Sequence, residues 1–341
     1  MRLRSHLRIW VLVFAAIQFG YSPPPARSQE MDTINIATGG IALFNYLPVV
    51  LAERIGAFKK ENLKVEVNDF QGGQRSVEAL VGGSVDVAIA TYENVPLLQT
   101  KGVTLVTTAL LNRSIGAVIA VTAKNAPNVK EPKDVKGFAF GVSSVGSATH
   151  RILNLYLAKG GLTSDDVSAH GLGGGAGAIA LIKSGRLDGF VHSEPVVSQA
   201  LKDGTMKVLV DGRTEAGMKY LYGGYIAATI VLTRPDFIEK KPRVMQKFVN
   251  AMVTTLKWMQ TATPDEITAT VPPEYVGPDK THYRDAIALQ IPIFSSDGIL
   301  HRDELERTYQ IMVQEGQLKA EQKVDLDKTY DSGFVEAANK K

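Results

Sequence analysis

The sequence predicts an α/β protein built from two similar lobes. Short apolar segments alternate with helical stretches, a pattern that is typical of sheets with helical crossovers. In addition, residues 35–106 match the chain 102 positions later without gaps. Gly39 then coincides with Gly141, Gly83 with Gly185, and an aspartate at 86 with one at 188. With 341 residues the chain is long enough for two domains, so we expect two copies of one unit, each with a parallel sheet.

The amino terminus has the pattern of an export signal over residues 1–28. Arginines at positions 2, 4 and 8 precede an apolar run at 9–19, and Ala26 and Ser28 are the small residues expected before a cleavage point. The run is shorter than the about 20 residues that a transmembrane helix needs. Cleavage would remove four arginines and no acidic residue, so the formal charge of +3 becomes −1. This balance argues against a nucleic-acid partner.

The chain contains no cysteine. Disulfides, a thiol nucleophile and a lipidated amino-terminal cysteine are therefore excluded. Together with the signal, this predicts a periplasmic protein that is secreted, cleaved and not lipidated, and we expect a monomer.

Each copy has the predicted order strand, helix, strand, helix, strand. In the first copy the strands are at 34–37, 63–70 and 85–90, and the helices are at 47–58 and 75–81. In the second copy the strands are at 138–140, 167–172 and 187–191, and the helices are at 147–159 and 179–184. Later amphipathic helices at 243–261 and 301–315, separated by prolines, predict a helical cover on the first lobe.

Ligands of such sheets bind beyond the carboxyl ends of the strands, so the loops at those ends are the predicted site. These loops are 38–46, 70–75, 90–94, 141–149, 171–177 and 192–195. The most informative loop contains Ser143, Ser147 and Thr149 just before a helix, where free N–H groups and the helix dipole favour an anion. The alternative interpretation is that Ser147 or a neighbouring residue only caps the helix.

Several motifs resemble the substrate-binding proteins of ABC importers. They are Gly39-Gly40, Phe44-Asn45-Tyr46-Leu47-Pro48, the segment 82–88 with sequence GGSVDVA, and Ser193-Glu194-Pro195. Behind an export signal, this order is similar to the branch that binds nitrate, alkanesulfonates and taurine and to the NMT1/THI5-like binders of thiamine precursors. The segment 129–137 also resembles the family, and the similarity covers the mature chain.

This resemblance implies a type II periplasmic-binding-protein fold, in which two α/β lobes are joined by two crossing strands around a ligand cleft. Lobe I would comprise residues 29–116 and 214–341, and lobe II residues 117–213. The implied protein is not an enzyme and has no cofactor or metal. It closes on a small molecule by hinge bending and delivers it to an ABC permease in the inner membrane. Carried over by position, the implied ligand-binding residues are Gly39, Asn45, Tyr46, Gly73, Gln74, Thr91, Tyr92, Ser143, Ser144, Gly146, Ser147, Gly174, Gly175, Ser193 and Glu194.

The charge of the ligand stays open on the sequence alone. Glu194 in the implied pocket disfavours an anion and favours a donor-bearing ligand such as an amine or a pyrimidine. Arg75 and Arg151 lie a short way into their helices, where we expect them to be solvated. The candidates are therefore nitrate-, sulfonate- or taurine-like anions and aromatic or pyrimidine compounds.

Two sequence features suggest other kinds of site, and two other functions are compatible with the predicted fold. Residues 171–176 satisfy the dinucleotide pattern GxGxxG/A, with Asp188 near the place of a ribose-binding acid, but the matching turn of the first copy does not. His192 is the only histidine on a predicted pocket loop, and a structural hydrogen bond is the preferred interpretation. The same fold also carries enzymes of pyrimidine or menaquinone-precursor synthesis, and an exported binder can serve a membrane receptor as a ligand sensor.

Overall fold

The computed structural model describes residues 31–70, 72–319 and 321–341, so the predicted export signal lies outside the described residues. The strands in this part of the chain are β1 Asp32–Thr38, β2 Leu63–Asp69, β3 Val87–Thr91, β4 Val106–Asn112, β5 Val118–Thr122, β6 Ala139–Val142, β7 Ser168–Gly171, β8 Gly189–His192, β9 Met206–Asp211 and β10 Thr229–Thr233. The helices are α1 Leu47–Arg54, α2 Ala57–Lys60, α3 Gly73–Val81, α4 Asn94–Gln99, α5 Ala148–Lys159, α6 Gly175–Lys183, α7 Val196–Leu201, α8 Glu215–Tyr222, α9 Pro235–Lys240, α10 Pro242–Thr261, α11 Pro264–Thr270, α12 Pro273–Val276, α13 Lys280–Gln290, α14 Arg302–Gln314 and α15 Gly333–Asn339.

The strands form two five-stranded sheets with the orders β2-β1-β3-β10-β4 and β7-β6-β8-β5-β9. Strand β1 is parallel to β2 and β3, and β6 is parallel to β7 and β8. Strands β10 and β5, by contrast, are antiparallel to both of their neighbours. The expectation of purely parallel sheets is therefore wrong. Each sheet contains one reversed strand, β10 in the first and β5 in the second. In both cases the chain enters the strand directly from the other sheet and not through a helical crossover within the same sheet.

The internal repeat is also present in the three-dimensional structure. Moving α3 and α4 by 102 positions gives the bounds of α6 and α7, and the two strand orders correspond position by position. The repeated aspartates have equivalent roles, since Asp86 Oδ2 accepts the Asn35 N–H and Asp188 Oδ2 accepts the Ala139 N–H, both at 2.9 Å. Asp188 is thus committed to a turn before its strand, which removes the support for a dinucleotide site.

The chain passes between the sheets twice, through residues 113–117 and back through 212–228. The first sheet is built from residues 32–112 together with β10, and the second from 118–211. Helix α8, which the sequence assigned to lobe I, packs Met218 and Leu221 into the core of the second sheet. The lobe boundaries at residue level stay a prediction.

The helices differ from the predicted ones in informative places. The predicted helix 47–58 is two helices, because Gly56 between them has a φ of 73°, a left-handed conformation that ends a helix. In the carboxyl-terminal part, prolines begin α9, α10, α11 and α12, where the missing N–H costs no helical hydrogen bond. No helix among the described residues combines the length and apolarity that a membrane crossing needs.

The two long amphipathic helices have different positions. Met245, Phe248 and Val249 of α10 pack against the first sheet, as the predicted cover requires. Helix α14 instead spans both cores, because Leu305 packs in the first lobe and Ile311 packs against the core of the second. Motion of one lobe relative to the other therefore also affects the surroundings of α14.

Candidate functional site

A cavity that opens to solvent lies between the two lobes. It is found where β1, β2, β3, β6 and β8 end, as expected for ligand sites of such sheets. Its lining from the first lobe is Gly39, Leu43, Asn45, Tyr46, Gly73, Gln74, Ala90, Thr91, Asn94 and Thr229. Its lining from the second lobe is Ser143, Gly146, Ser147, Ala148, Thr149, Arg151 and Ser193, and Ile115 of the crossing segment completes it.

Most of the residues implied by the resemblance are brought together here. Those that line the cavity are Gly39, Asn45, Tyr46, Gly73, Gln74, Thr91, Ser143, Gly146, Ser147 and Ser193. Tyr92 does not, because it is fully buried and its hydroxyl lies 2.7 Å from Thr329 Oγ1. Ser144, Gly174 and Gly175 are also outside the lining. Ser144 and Gly174 lie instead where the lobes meet, opposite Gly72 and Leu43.

Glu194 also lies outside the lining, and its side chain is fully buried. Its carboxylate pairs with the guanidinium of Arg213 and accepts hydrogen bonds from the Ser198 hydroxyl at 2.6 Å and the Ser198 N–H at 3.0 Å. Such pairing offsets the cost of a buried charge. Placing Glu194 in the pocket was therefore an error, and its charge no longer argues against an anionic ligand.

The two lobes touch around the cavity. The Phe44 N–H of the first lobe donates to the Glu194 carbonyl of the second at 3.0 Å. The amide oxygen of Gln74 lies 2.8 Å from the point that a β-carbon on Gly146 would occupy. The described arrangement is therefore a closed one, in which both lobes contact each other and line the same cavity.

The wall formed by the first lobe is tightly packed around Gly39. A β-carbon on this glycine would lie 2.4 Å from the Gly73 nitrogen and 2.5 Å from the Tyr46 hydroxyl oxygen. Burial raises the pKa of Tyr46 well above its usual range, so the hydroxyl stays protonated at neutral pH. Helix α3 begins in this wall at Gly73, and its N-cap residue is Gly72, which has no side chain to cap the first turn. The N–H groups and the dipole at the start of a helix favour an acceptor or an anion.

The wall formed by the second lobe is a cluster of hydroxyls at the start of α5. The hydroxyl oxygens of Ser143, Ser147 and Thr149 lie 2.9 Å from one another, and Thr149 Oγ1 also accepts the Ser143 N–H at 2.9 Å. Ser147 makes no side-chain cap on α5. Ser147 is thus the N-cap residue of α5 by position, but its hydroxyl lies within the hydroxyl cluster and does not cap the helix, and a second helix amino terminus faces the cavity from the opposite lobe.

Arg151 lines the cavity, whereas the sequence predicted it to be solvated. Its Nε donates to Glu93 Oε2, its Nη1 to the Gly146 carbonyl and its Nη2 to Thr91 Oγ1, each at 2.8 Å. Among the described lining residues it is the only one with a formal charge. Its spacing of four from Ser147, which places both on one helix face, was the signal that could have revealed it. Arg75, by contrast, is exposed as expected.

Thr229 is a second cavity residue that the sequence did not single out. It is 2% exposed, and its hydroxyl has no hydrogen-bond partner among the described residues. It lies on β10 between Thr91 of β3 and Asn112 of β4, so a row of polar residues crosses the sheet at the cavity. A buried hydroxyl without a partner costs about 1–3 kcal/mol, which a ligand acceptor or donor would relieve.

Replacing this hydroxyl gives a test of that assignment. Thr229→Val is expected to raise the free energy of unfolding by about 1 kcal/mol, because valine keeps the shape and removes the unpaired group. Thr233→Val on the same strand is the matched control and should lower stability, since its hydroxyl donates to the Asp86 carbonyl at 2.7 Å. Urea unfolding monitored by circular dichroism measures both. Destabilisation by Thr229→Val would mean that the hydroxyl already has a partner.

His192 has a structural role, as the sequence suggested. It is fully buried, and its Nε2 lies 2.8 Å from the Gly173 carbonyl in the glycine turn after β7. Burial lowers its pKa, so the ring is neutral at pH 7. In the part of the chain that the structure describes, no group of three potential metal ligands is found.

Comparison with known proteins identifies the relatives of this chain. The model of the NMT1-like family matches residues 29–271. The putative aliphatic sulfonates-binding protein of Escherichia coli (strain K12) is 30% identical over 161 residues, which are 46% of this chain and 49% of the relative. The chain thus matches about half the length of that relative.

Two solved structures are similar over nearly the whole chain. A protein of Bordetella bronchiseptica RB50 has a TM-score of 0.85 at 35% identity, with 91% of this chain and 98% of that chain covered. The alkanesulfonate-binding protein SsuA of Xanthomonas axonopodis pv. citri, bound to MOPS, has a TM-score of 0.68 at 19% identity, with 89% and 99% covered. These similarities confirm the predicted periplasmic-binding-protein fold of two α/β lobes.

Proposed function

The chain belongs to the NMT1-like family, and on this premise we propose that it is the extracytoplasmic solute-binding protein of an ABC importer. The observation that carries the proposal is the cavity between the lobes, to which both lobes contribute polar side chains and the start of a helix. A ligand in this position contacts both lobes, so its binding stabilises the closed form. The closed form would be what a permease in the inner membrane recognises, with the protein acting as a monomer in the periplasm.

The ligand that this cavity fits best is a small organic anion with one negative charge. The free N–H groups at the starts of α3 and α5 and the guanidinium of Arg151 all favour negative charge. Glu93 pairs with Arg151 at 2.6 Å and offsets its charge, so a multiply charged anion is disfavoured. Sulfonates have this chemistry, and two of the similar proteins are named a putative aliphatic sulfonates-binding protein and an alkanesulfonate-binding protein bound to MOPS. Thr229 would give the remainder of the ligand a hydrogen-bonding partner.

A thermal-shift screen of residues 29–341 tests this function. The panel contains nitrate, ethanesulfonate, taurine, MOPS, aromatic carboxylates and thiamine precursors. We expect a monoanion to stabilise the protein, by about 2.7 kcal/mol at 100 times its Kd, without being consumed. Small-angle scattering should then show a smaller radius of gyration with that anion, and Arg151→Met should abolish both responses.

Two results would contradict the proposal. Turnover of the stabilising compound, followed by nuclear magnetic resonance, would favour an enzyme on this fold. Stabilisation by amines or neutral pyrimidines with no response to any anion would overturn the proposed ligand class while leaving hinge closure intact.

A further inference from the structure

A second chamber lies behind Arg151, and the proposed function does not use it. The chamber is small, and Arg151 belongs to the walls of both the chamber and the ligand cavity. Its polar lining is Glu93, Arg151, Tyr222, Thr308 and Glu315, and the rest is isoleucine and leucine. Two carboxylates and one guanidinium therefore share a partly apolar space that is largely shielded from water, in which electrostatic interactions are stronger than in water.

One of these contacts joins the two lobes. Glu93 lies between β3 and α4 of the first lobe, and Arg151 lies on α5 of the second. Their side chains are about four-fifths buried, and Arg151 Nη2 lies 2.6 Å from Glu93 Oε2. Opening of the cleft separates these elements, so the Glu93–Arg151 pair is a latch that exists only in the closed form.

The second carboxylate, Glu315, lies at the end of α14 and faces this latch. The groups around it are Glu93 from the first lobe, Arg151 and Lys159 from α5, Tyr222 from α8, and Gln317, which donates a hydrogen bond to it. Burial, together with the charge of Glu93, raises the pKa of Glu315 to about 7. Independently, the buried Tyr222 hydroxyl has no hydrogen-bond partner among the described residues. The Tyr222 hydroxyl therefore does not stabilise the charged form of Glu315 by a hydrogen bond.

We propose that the proton on Glu315 controls closure of the two lobes through the Glu93–Arg151 latch. With Glu315 neutral, the chamber holds one cation and one anion, and the latch is undisturbed. With Glu315 charged, a second carboxylate competes for Arg151 and repels Glu93. Ile311, one turn earlier on α14, packs against the core of the second lobe, so Glu315 remains with Arg151 when Glu93 withdraws. Loss of the proton therefore favours the open form.

The sign of the pH dependence follows from linkage. The closed form holds its proton up to about pH 7, whereas a solvated glutamate loses it near its ordinary value of 4.5. Closure is thus most favoured below about pH 4.5, becomes progressively less favoured as the pH rises from 4.5 to 7, and has lost this advantage above pH 7. One unit of difference in pKa changes the ratio of closed to open protein tenfold, so we expect a change of at least about tenfold between pH 5 and pH 8.

Spin labels can report this change without any ligand. The chain has no cysteine, so two introduced cysteines can be labelled specifically. We choose two exposed positions, one on each lobe: Val81→Cys on α3 and Leu181→Cys on α6. Double electron–electron resonance is then recorded on the ligand-free protein at pH 5 and pH 8. The population with the short distance should fall at pH 8. Glu315→Gln should stay closed at both pH values, and Glu306→Gln, an exposed position on the same helix, should behave as the parent protein.

Glu93→Gln is the opposite variant, because it removes the charge that pairs with Arg151 while the Glu315 side chain stays in place; it also removes the charge of Glu93 that raises the pKa of Glu315. It should shift the protein towards the long distance at both pH values. Equal distance distributions of the parent at pH 5 and pH 8, an unchanged pH response in Glu315→Gln, or a closed Glu93→Gln would each overturn the proposal. The proposal rests on hinge closure in the proposed function but not on the ligand, so a failed ligand screen leaves this outcome unaffected.

Discussion

Replacing Arg213 with methionine is expected to lower the free energy of unfolding by about 3–5 kcal/mol. The guanidinium pairs with the fully buried carboxylate of Glu194 and also bonds Asp211 through Nε at 2.8 Å and Nη2 at 2.7 Å. Methionine has a similar length but leaves the Glu194 charge with only the two donors of Ser198. Urea unfolding at pH 7, monitored by circular dichroism, measures the loss.

Two further variants make this result specific. Adding Glu194→Gln to the Arg213→Met protein should recover much of the stability, because a neutral amide needs no counterion. Lys240→Met removes one half of an exposed pair with Asp236 and should change stability by less than about 1 kcal/mol. A loss below that size for Arg213→Met would show that Glu194 is not held as a buried charge.

Substituting Gly39 with alanine is expected to abolish ligand binding and to lower stability by about 1–3 kcal/mol. The added carbon would lie 2.4 Å from the backbone nitrogen of Gly73 and 2.5 Å from the Tyr46 hydroxyl. The backbone at Gly73 cannot move without displacing the start of α3, so the first-lobe wall of the cavity must shift. The anion identified by the thermal-shift panel should then give no stabilisation.

Gly177→Ala is the matched control for this substitution. Gly177 lies inside α6, and a β-carbon there would have open space around it. Alanine is the better helix former, so stability should rise by up to about 1 kcal/mol while ligand binding is retained. A Gly39→Ala protein that keeps the full ligand response would show that the Gly39–Tyr46–Gly73 wall is not part of the binding site.

The repeat and the strand ends made most of the candidate site predictable. Gly39, Gly73, Ser143 and Ser147 follow predicted strands, and the ends of parallel strands lie at one edge of a sheet. Local periodicity was sufficient to predict these residues, because it locates the end of each strand and the cavity lies at the strand ends. Glu194 also follows a strand, but the direction of its side chain depends on Arg213, which is distant along the sequence.

Arg151 and Thr229 show why the remainder was not predictable. A position four residues into an amphipathic helix is compatible with solvent or with a cavity, and the partners that decide it, Glu93 and Thr91, come from the other lobe. Thr229 enters the first sheet only after the chain has returned from the second. Periodicity does not indicate which distant segment occupies a given position in a sheet.

The sequence by itself determined the α/β class, the twofold repeat, the order of strands and helices and the loops around the cavity. These properties depend on local apolar periodicity and on glycines at turns. Both are determined by residues that are close together in the sequence. Tertiary structure alone decided the reversed strands β5 and β10, the burial of Glu194 against Arg213 and the contact of Arg151 with Glu93. Each of these joins residues far apart in the chain, and their free energy depends on desolvation and pairing, which exist only once the lobes have formed and closed.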